Sequence, residues 1–600
     1  VELELDDYID YIPVEVFSHN KFPRITNRPY LFTLAPHGYY WFSLTQRESE
    51  SQDGPLPQVK TTDWERLFDA KNIKLLERKI LPAYFKSKYW FGDTSRIIQS
   101  MEITNMLDLS KDDLLVKNLI VEVHFNEGLP EMYQLPVSYI ANSYESLTEA
   151  VPQKGILAEV HFKESSGILV DSVYVEPFRA QLFYSLQAGA TLKFGKEKLA
   201  FERGNITPDS DIEEVSSRII ESKQSNTSII YDHRYFLKLY RRLDSTVNPD
   251  AELSQYLTET VKFANTPDYM GKLVYYTQKR NEAVLGMMQD LVTNVGTGWV
   301  NAKDAAHRYM ERIETQAQEL EPDYDKGLRT RPLLFEDLKE PESDLVESLF
   351  PERISLLGRR SAQMHQALAS HEELKGFEHE AFSLHYQRSL YSSLQSVTRE
   401  AFENLRRSIP SLPVTIQAEA EAVLKRKNEV LDCFKRVFKH KINTVKIRTH
   451  GDFQLGQLLW TGKDFVIINF EGEPSRPFSE RRILRSGLRD VAAMIRSFHY
   501  AAYSPLMQQN YAEDYRETHL EAWAEAWYYY VSRFYLDGYI STLKGSDLIP
   551  DTERDYQVLL ETFLLEKAVG ELNTELNHRP LFALVALRGI QAVLDGAHKD

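Results

Sequence analysis

Residues 444 to 474 read TVKIRTHGDFQLGQLLWTGKDFVIINFEGEP, the run that most narrows what this chain can fold into. Two apolar, β-branched stretches, Thr444 to Ile447 and Phe465 to Phe470, predict short strands. Between them lies a polar loop carrying His450, Gly451, Asp452 and Gln457, so that reactive side chains are displayed from a rigid base. The surroundings are of two kinds. Upstream, LIVEVHF (119 to 125) and GILAEVHF (155 to 162) read as strands, whereas IEEVSSRIIES (212 to 222) has helical spacing. Beyond Trp299 the pattern is almost wholly helical, as in HEAFSLHYQRSLYSSLQSVTREAFENLRR (379 to 407). The expected class is α+β, with a sheet-containing lobe followed by a helical one.

Six hundred residues exceed what one core supports, so several domains are expected. Short aromatic strands occupy 1 to 46: VEVF (14 to 17), YLFTLA (30 to 35) and YYWFSL (39 to 44). A linker-like stretch, 47 to 60, contains RESESQDGPLPQ. The remaining divisions are a cap with the start of a sheet lobe at 61 to 215, the rest of that lobe at 216 to 298, and the helical lobe at 299 to 600. A net charge of −17 disfavours nucleic acid and anionic membrane as partners. Cys433 stands alone, which excludes internal disulfides and cysteine-rich zinc sites and fits a reducing cytoplasm. No apolar run approaches spanning length, and the chain opens on Val1, as a piece of a longer protein would.

Phosphoryl transfer needs an acceptor-activating carboxylate, a hard-cation site and a lysine on the nucleotide phosphates. Asp452, leaving a strand behind Gly451, suits the first role. His450 is read as a brace for the loop, and Gln457 as a neutral oxygen ligand for Mg²⁺. In QSNTSIIYDHRYFLKLYRR (224 to 242), Lys238 lies within an apolar strand, a costly position unless its ammonium meets an anion. Gln224, Ser225, Asn226, Thr227 and Ser228 precede or begin the strand before it and offer hydroxyl and backbone groups to ATP phosphates. Glu252, in the helix start NPDAELSQYL, is the expected ion-pair partner of Lys238. AVLGMMQDLV (283 to 292) reads as a hinge strand beside an adenine.

These segments, with LPAYFKSKYWFGD, LGRRSAQMHQALAS, LRDVAAMIRSFHYAAYS and LLEKAVGELNTELNHRPLFALVALRGI, resemble in order those of the maltokinases, a branch of the aminoglycoside-phosphotransferase-like kinases. Residues 1 to 44, ending NRPYLFTLAPHGYYWFSL, resemble the terminal β-domain of an amylase-type trehalose synthase. The resemblance implies a cap, a sheet-containing lobe and a helical lobe with ATP in the cleft, the γ-phosphate passing to maltose to give maltose 1-phosphate. It implies Asp452 as base, Lys238 and Glu252 on the nucleotide, and Lys567, Glu571 and Arg588 on the sugar. A fused or associated trehalose synthase would be a partner, and such fusions usually form homo-oligomers.

The departures from that pattern are specific. Asn469 stands where the family usually has the metal-binding aspartate of its DFEGEP, and Gly570 and Thr574 replace sugar-wall tyrosines. Glu471 would share a face with Asn469 were the strand to continue, and could then replace the lost ligand. Two expectations stand side by side: a working, slowed maltokinase, and a catalytically silent kinase-like domain that binds nucleotide or sugar or scaffolds the synthase. Trp523, Trp527 and Tyr528 to Tyr530 recur at helical spacing and are expected in the core; Arg359, Arg360 and His365 are expected in structural ion pairs; Asp490 is expected to buttress the loop.

Overall fold

The computed structural model describes residues 2–3, 11–15, 25, 30–31, 42–46, 56–92, 96–163, 165–220, 225–278, 281–316, 321–324, 329–338, 342–346, 349–474, 476–508 and 520–596. Gln224 and residues 47 to 55 of the linker lie outside them. Two compact units result, Val1–Phe178 and Arg179–Asp600, so the cap and the start of the sheet lobe, expected as one segment, fall into different units.

In the first unit Glu2–Leu3 pairs with Tyr30–Leu31, and Tyr11–Glu15 with Phe42–Gln46, both antiparallel. Beyond them a sheet runs in the order Gln58–Lys60, Ile156–His161, Ser166–Asp171, Glu131–Ala141, Val116–Phe125, Ile98–Asp108. Gln58–Lys60 joins it in parallel and the others are antiparallel. Leu76, Ile80, Leu81 and Phe85, on the helical run from Ala70 to Lys86, pack against Val121, Val123, Leu135 and Val160.

The second unit opens with an antiparallel sheet: Thr191–Phe194, Glu197–Arg203, Tyr269–Tyr276, Glu282–Asp290, Tyr235–Leu239, Thr227–Tyr231, Ser217–Ile220. Of the helix expected over 212 to 222, none is present among the described residues 212 to 220. Its second half is the edge strand Ser217–Ile220, paired with Thr227–Tyr231. Ile219 and Ile220 are β-branched and gain more from that ladder than from a helix.

From Gly298 the described residues are mostly helical, interrupted by short strands. Leu384–Ser408 buries Leu390, Leu394, Thr398, Ala401, Phe402 and Leu405, a single stripe, and Ser383 caps its start by accepting from Tyr386 N. Leu520–Leu543 is enclosed on nearly every side, with Trp523, Trp527 and Tyr528 to Tyr530 in the core as expected. It crosses Leu349–Leu368 in direct backbone contact: a Cβ on Gly538 would lie 1.9 Å from Ser355 O, and one on Gly358 would lie 2.1 Å from Tyr535 O. Among the described residues no helix is long and apolar enough to cross a membrane.

Candidate active site

The two strands expected to flank the polar loop are shorter than their apolar patterns and do not pair with each other: Val445–Lys446 pairs with Glu380–Ala381. Leu458–Trp460 pairs with Phe465–Ile467, and the earlier run contributes Val445–Lys446. After Ile467 the chain turns, because Asn469 adopts φ +62, a left-handed conformation that asparagine tolerates better than most residues. The strand therefore does not carry on to Glu471. The turn nevertheless brings Asn469 and Glu471 to one point, the Lys238 ammonium.

Lys238 is buried in the interior strand Tyr235–Leu239. Its Nζ donates to Asp250 Oδ2 at 2.6 Å, Asn469 Oδ1 at 2.8 Å and Glu471 Oε1 at 3.0 Å. Burial alone would lower the lysine pKa; Asp250 and Glu471 outweigh it and hold the ammonium above its usual range. Asp250 is fixed in turn by Tyr240 OH at 2.8 Å and Phe470 N at 2.9 Å.

The pairing of Lys238 with Glu252 is corrected: its carboxylate partners are Asp250 and Glu471. Asn248 caps the helix Pro249–Gln255, accepting from Asp250 N and Ala251 N, so Asp250 sits in the first turn facing the sheet. Two residues on, about 200° around the helix axis, Glu252 faces elsewhere. It accepts from Arg482 Nη2 at 2.6 Å and Nε at 3.0 Å, and lies 2.9 Å from Arg448 Nη1. Glu252 thus ties this helix to the strand entering the catalytic loop and to the segment following EGEP.

His450 braces the loop as its sequence position suggested. Its Nε2 donates to Ile468 O at 3.0 Å, which leaves Nδ1 to accept from Asp452 N at 3.4 Å. Asp490 buttresses the same loop, accepting from His450 N at 2.8 Å, Gly451 N at 3.0 Å and His365 Nε2 at 3.1 Å. Burial would raise the Asp490 pKa, but His365, His450 and the loop amide hold it below its ordinary value. Gly451 has φ +83, and a Cβ there would press on Gly472 Cα at 3.1 Å; the loop and the turn after Asn469 meet at these two glycines. Of the remaining residues on the helix bearing His365, Arg360 pairs with Asp464 at 2.6 Å and Arg359 donates to Ser355 Oγ at 2.9 Å.

Asp452 opens onto a cleft of about 740 Å³ also lined by Trp299, Arg485, Lys567, Gly570 and Glu571. Lys567 and Glu571 thus line the same cleft as Asp452, Glu571 being anchored by Arg496 Nη2 at 2.8 Å. Arg588 does not line this cleft and is corrected. It holds Glu419 at 2.7 Å, Glu521 at 2.9 Å and Tyr503 OH at 2.9 Å, a clasp between helices. In the phosphate-capping run, Asn226 Nδ2 donates to Glu471 Oε1 at 2.8 Å, and Thr227 Oγ1 accepts from Arg241 Nε at 2.7 Å. Ser228 is buried across the ladder from Lys238, and Ser225 is exposed.

The candidate metal ligands do not fit Mg²⁺, which takes hard oxygens including one or two carboxylates. Asn469 Nδ2 donates to Gln457 Oε1 at 2.7 Å, so the oxygen that Gln457 would offer a cation is already engaged. Asn469 Oδ1 and Glu471 Oε1 both receive the Lys238 ammonium. Among the described residues no group of three or more His, Cys, Asp or Glu side chains could hold a metal. An aspartate at 469 would offer Gln457 no N–H and would add a charge. The sequence signals missed were Asp250, legible in hindsight from the NPD cap, and Arg481. Arg481 donates to Glu471 O at 3.2 Å, Pro474 O at 2.8 Å and Arg476 O at 2.8 Å, shaping the EGEP turn.

Comparison with known proteins follows this division. Residues 1–41 match the family model of the maltogenic amylase C-terminal domain. Over 48 residues the chain is 52% identical to the trehalose synthase/amylase of Mycobacterium tuberculosis (strain ATCC 25618 / H37Rv), 8% of each protein. The chain thus spans 8% of the length of that synthase. It is also 24% identical over 212 residues to the glucosamine kinase of Streptacidiphilus jiangxiensis, 35% of this chain and 42% of that one. A solved glucosamine kinase in complex with glucosamine, ADP and inorganic phosphate superposes with a TM-score of 0.52 at 16% identity, covering 82% of this chain and 94% of the kinase. The chain therefore has the α+β, two-lobed fold of that kinase, preceded by a fragment similar to an amylase C-terminal domain.

Proposed function

We propose that this chain is an ATP-dependent sugar kinase by descent, acting on maltose within a trehalose synthase system, with turnover limited by Asn469. The observation that carries the reading is the catalytic loop: Asp452 is displayed at the cleft by a loop that His450 and Asp490 pin from behind. In the reaction, the anomeric hydroxyl of maltose attacks the ATP γ-phosphorus. A new O–P bond forms, the bond to the β-phosphate oxygen breaks, ADP leaves, and Asp452 accepts the hydroxyl proton. Lys238 would turn from its carboxylate partners toward the nucleotide phosphates. Lys567 and Glu571 would orient the sugar. The segment 283 to 292, buried along most of Glu282–Asp290, would lie beside the adenine.

One observation favours a second reading, a silent domain that binds nucleotide or sugar. The Asn469–Gln457 hydrogen bond engages the Gln457 oxygen that a cation would need. The test is phosphoryl transfer from ATP–Mg²⁺ to maltose at high enzyme concentration, read as maltose 1-phosphate, with Asp452→Asn as the control. Product lost in that control supports the kinase reading. No product from the unaltered chain supports the silent one.

A further inference from the structure

The cleft wall opposite the closed cation site has an unmatched charge of its own. Arg485 lines the cleft with Lys567, and neither makes an ion pair or side-chain hydrogen bond among the described residues. The carboxylates nearby are already engaged: Glu566 by Arg489, Glu473 by Arg476 at 2.7 Å, and Glu480 more distantly by the same Arg476 at 3.8 Å. Arg485 is therefore surrounded by charge pairs that leave it out. Burial, followed by Arg489 and Arg476 alongside, pushes its guanidinium down to about 10.

Arg485 is also held rigidly. Its N donates to Ile447 O at 2.8 Å and its O accepts from Ile447 N at 2.9 Å, a two-way bridge three residues ahead of His450. A largely buried guanidinium with no ion-pair partner, set beside Arg489 and Arg476 and a Glu566 that Arg489 already holds, and fixed by its backbone to Ile447 ahead of the catalytic loop, is a preorganised anion receptor. There is room beside Lys567: Gly570 lies about one turn further along the same helix, Glu553–His578, and a Cβ on it would meet nothing within 4 Å. The cleft thus offers open space at Gly570 beside two cationic side chains, Arg485 and Lys567.

We infer that Arg485, with Lys567, forms a subsite for the phosphate group of a sugar phosphate in this cleft. It rests on the reading of the cleft as the sugar side of a kinase. A phosphate monoester would accept two parallel N–H bonds from Arg485 while its sugar ring fills the space beside Gly570 toward Asp452. For the reaction proposed above, the product is itself such a ligand, and it would be retained more tightly than the substrate.

Calorimetric binding of maltose, maltose 1-phosphate and inorganic phosphate, without ATP, tests the subsite apart from catalysis. The unaltered chain is expected to bind maltose 1-phosphate at least about tenfold more tightly than maltose. Arg485→Gln should erase that preference while leaving maltose binding intact, and Arg485→Lys should restore part of it. Ligand-free Arg485→Gln should melt no lower than the unaltered chain, since among the described residues the guanidinium makes no ion pair or side-chain hydrogen bond to lose and Glu566, the carboxylate that favours it, is already held by Arg489; a merely structural arginine would lower the melting temperature. Equal affinity for maltose and maltose 1-phosphate would overturn the proposal. So would a preference that survives Arg485→Gln, or inorganic phosphate binding as tightly as the sugar phosphate. Because no turnover is needed, an inactive kinase can still pass this test.

Discussion

Two cationic side chains face the candidate site and are treated in opposite ways. Lys238 is surrounded by oxygens at 2.6 to 3.0 Å, every N–H direction taken by Asp250, Asn469 or Glu471. Arg485 lines the cleft with its guanidinium unmatched and two other arginines among its nearest charges. Matched charge holds a fold together, because removing either partner strands the other in a poor solvent for ions. Unmatched charge weakens a fold and is useful only when something outside the chain completes it. The surroundings of Lys238 are thus internally satisfied, whereas Arg485 has no ion-pair partner of its own.

The sharpest contrast is between Lys238→Met and Arg485→Gln. The first leaves Asp250 and Glu471 facing each other without their cation and should cost about 3–5 kcal/mol in urea unfolding. The second should cost nothing measurable. Equal losses in the two variants would erase the distinction.

Acid should expose a second fully matched region in the helical lobe. Burial, with Arg496 alongside, pushes His499 from 6.5 down to about 4, although Glu525, 2.8 Å away, pulls the other way. The unfolded chain then binds a proton that the folded chain refuses, so stability falls as pH drops from about 6.5 toward 4, by up to about 1.4 kcal/mol per pH unit. Glu525 is held below its ordinary value and adds to the loss at the acid end. His499→Gln should flatten the slope between pH 6.5 and 5 in a series of unfolding curves; an unchanged slope would assign it to other groups.

Glu252→Gln probes the corrected pairing. It should weaken stability by about 1–3 kcal/mol through Arg448, whose buried guanidinium would lose its carboxylate, and should leave nucleotide affinity within about twofold. A large fall in nucleotide affinity would instead return Glu252 to the lysine. The smallest effect is expected at Arg588→Gln: about 1 kcal/mol of stability from the lost clasp and no change in the KM for maltose.

Much of the site could be read in the sequence because its logic is local. The loop bearing His450 and Asp452 declares itself by polar residues between apolar strands, and the supporting role of Asp490 follows from its place beside that loop. The aromatic run 523 to 530 announces a buried helix through its spacing. What escaped depends on rotation and closure. Asp250 and Glu252 differ by two positions and face opposite ways, which composition cannot reveal. Ile468 and Phe470 continue an apolar pattern that the backbone abandons, because the left-handed Asn469 ends the strand at Ile467. Arg588 resembled a sugar contact by its place in the chain, yet Glu419 comes from a helix some 170 positions earlier. Residues 212 to 222 look helical until the neighbouring strand is known.

Asn469 donates to Gln457 and accepts from Lys238, which on the proposed reading closes the cation site of the kinase loop. The most direct test of that claim is phosphoryl transfer from ATP–Mg²⁺ to maltose, measured side by side for the unaltered chain and for Asn469→Asp. The account predicts a rise in rate on the order of 10²- to 10³-fold in the variant, matching the stabilisation that one restored charge supplies. Equal rates in the two proteins, with product formed in both, would show that Asn469 does not limit the chemistry and would contradict the claim.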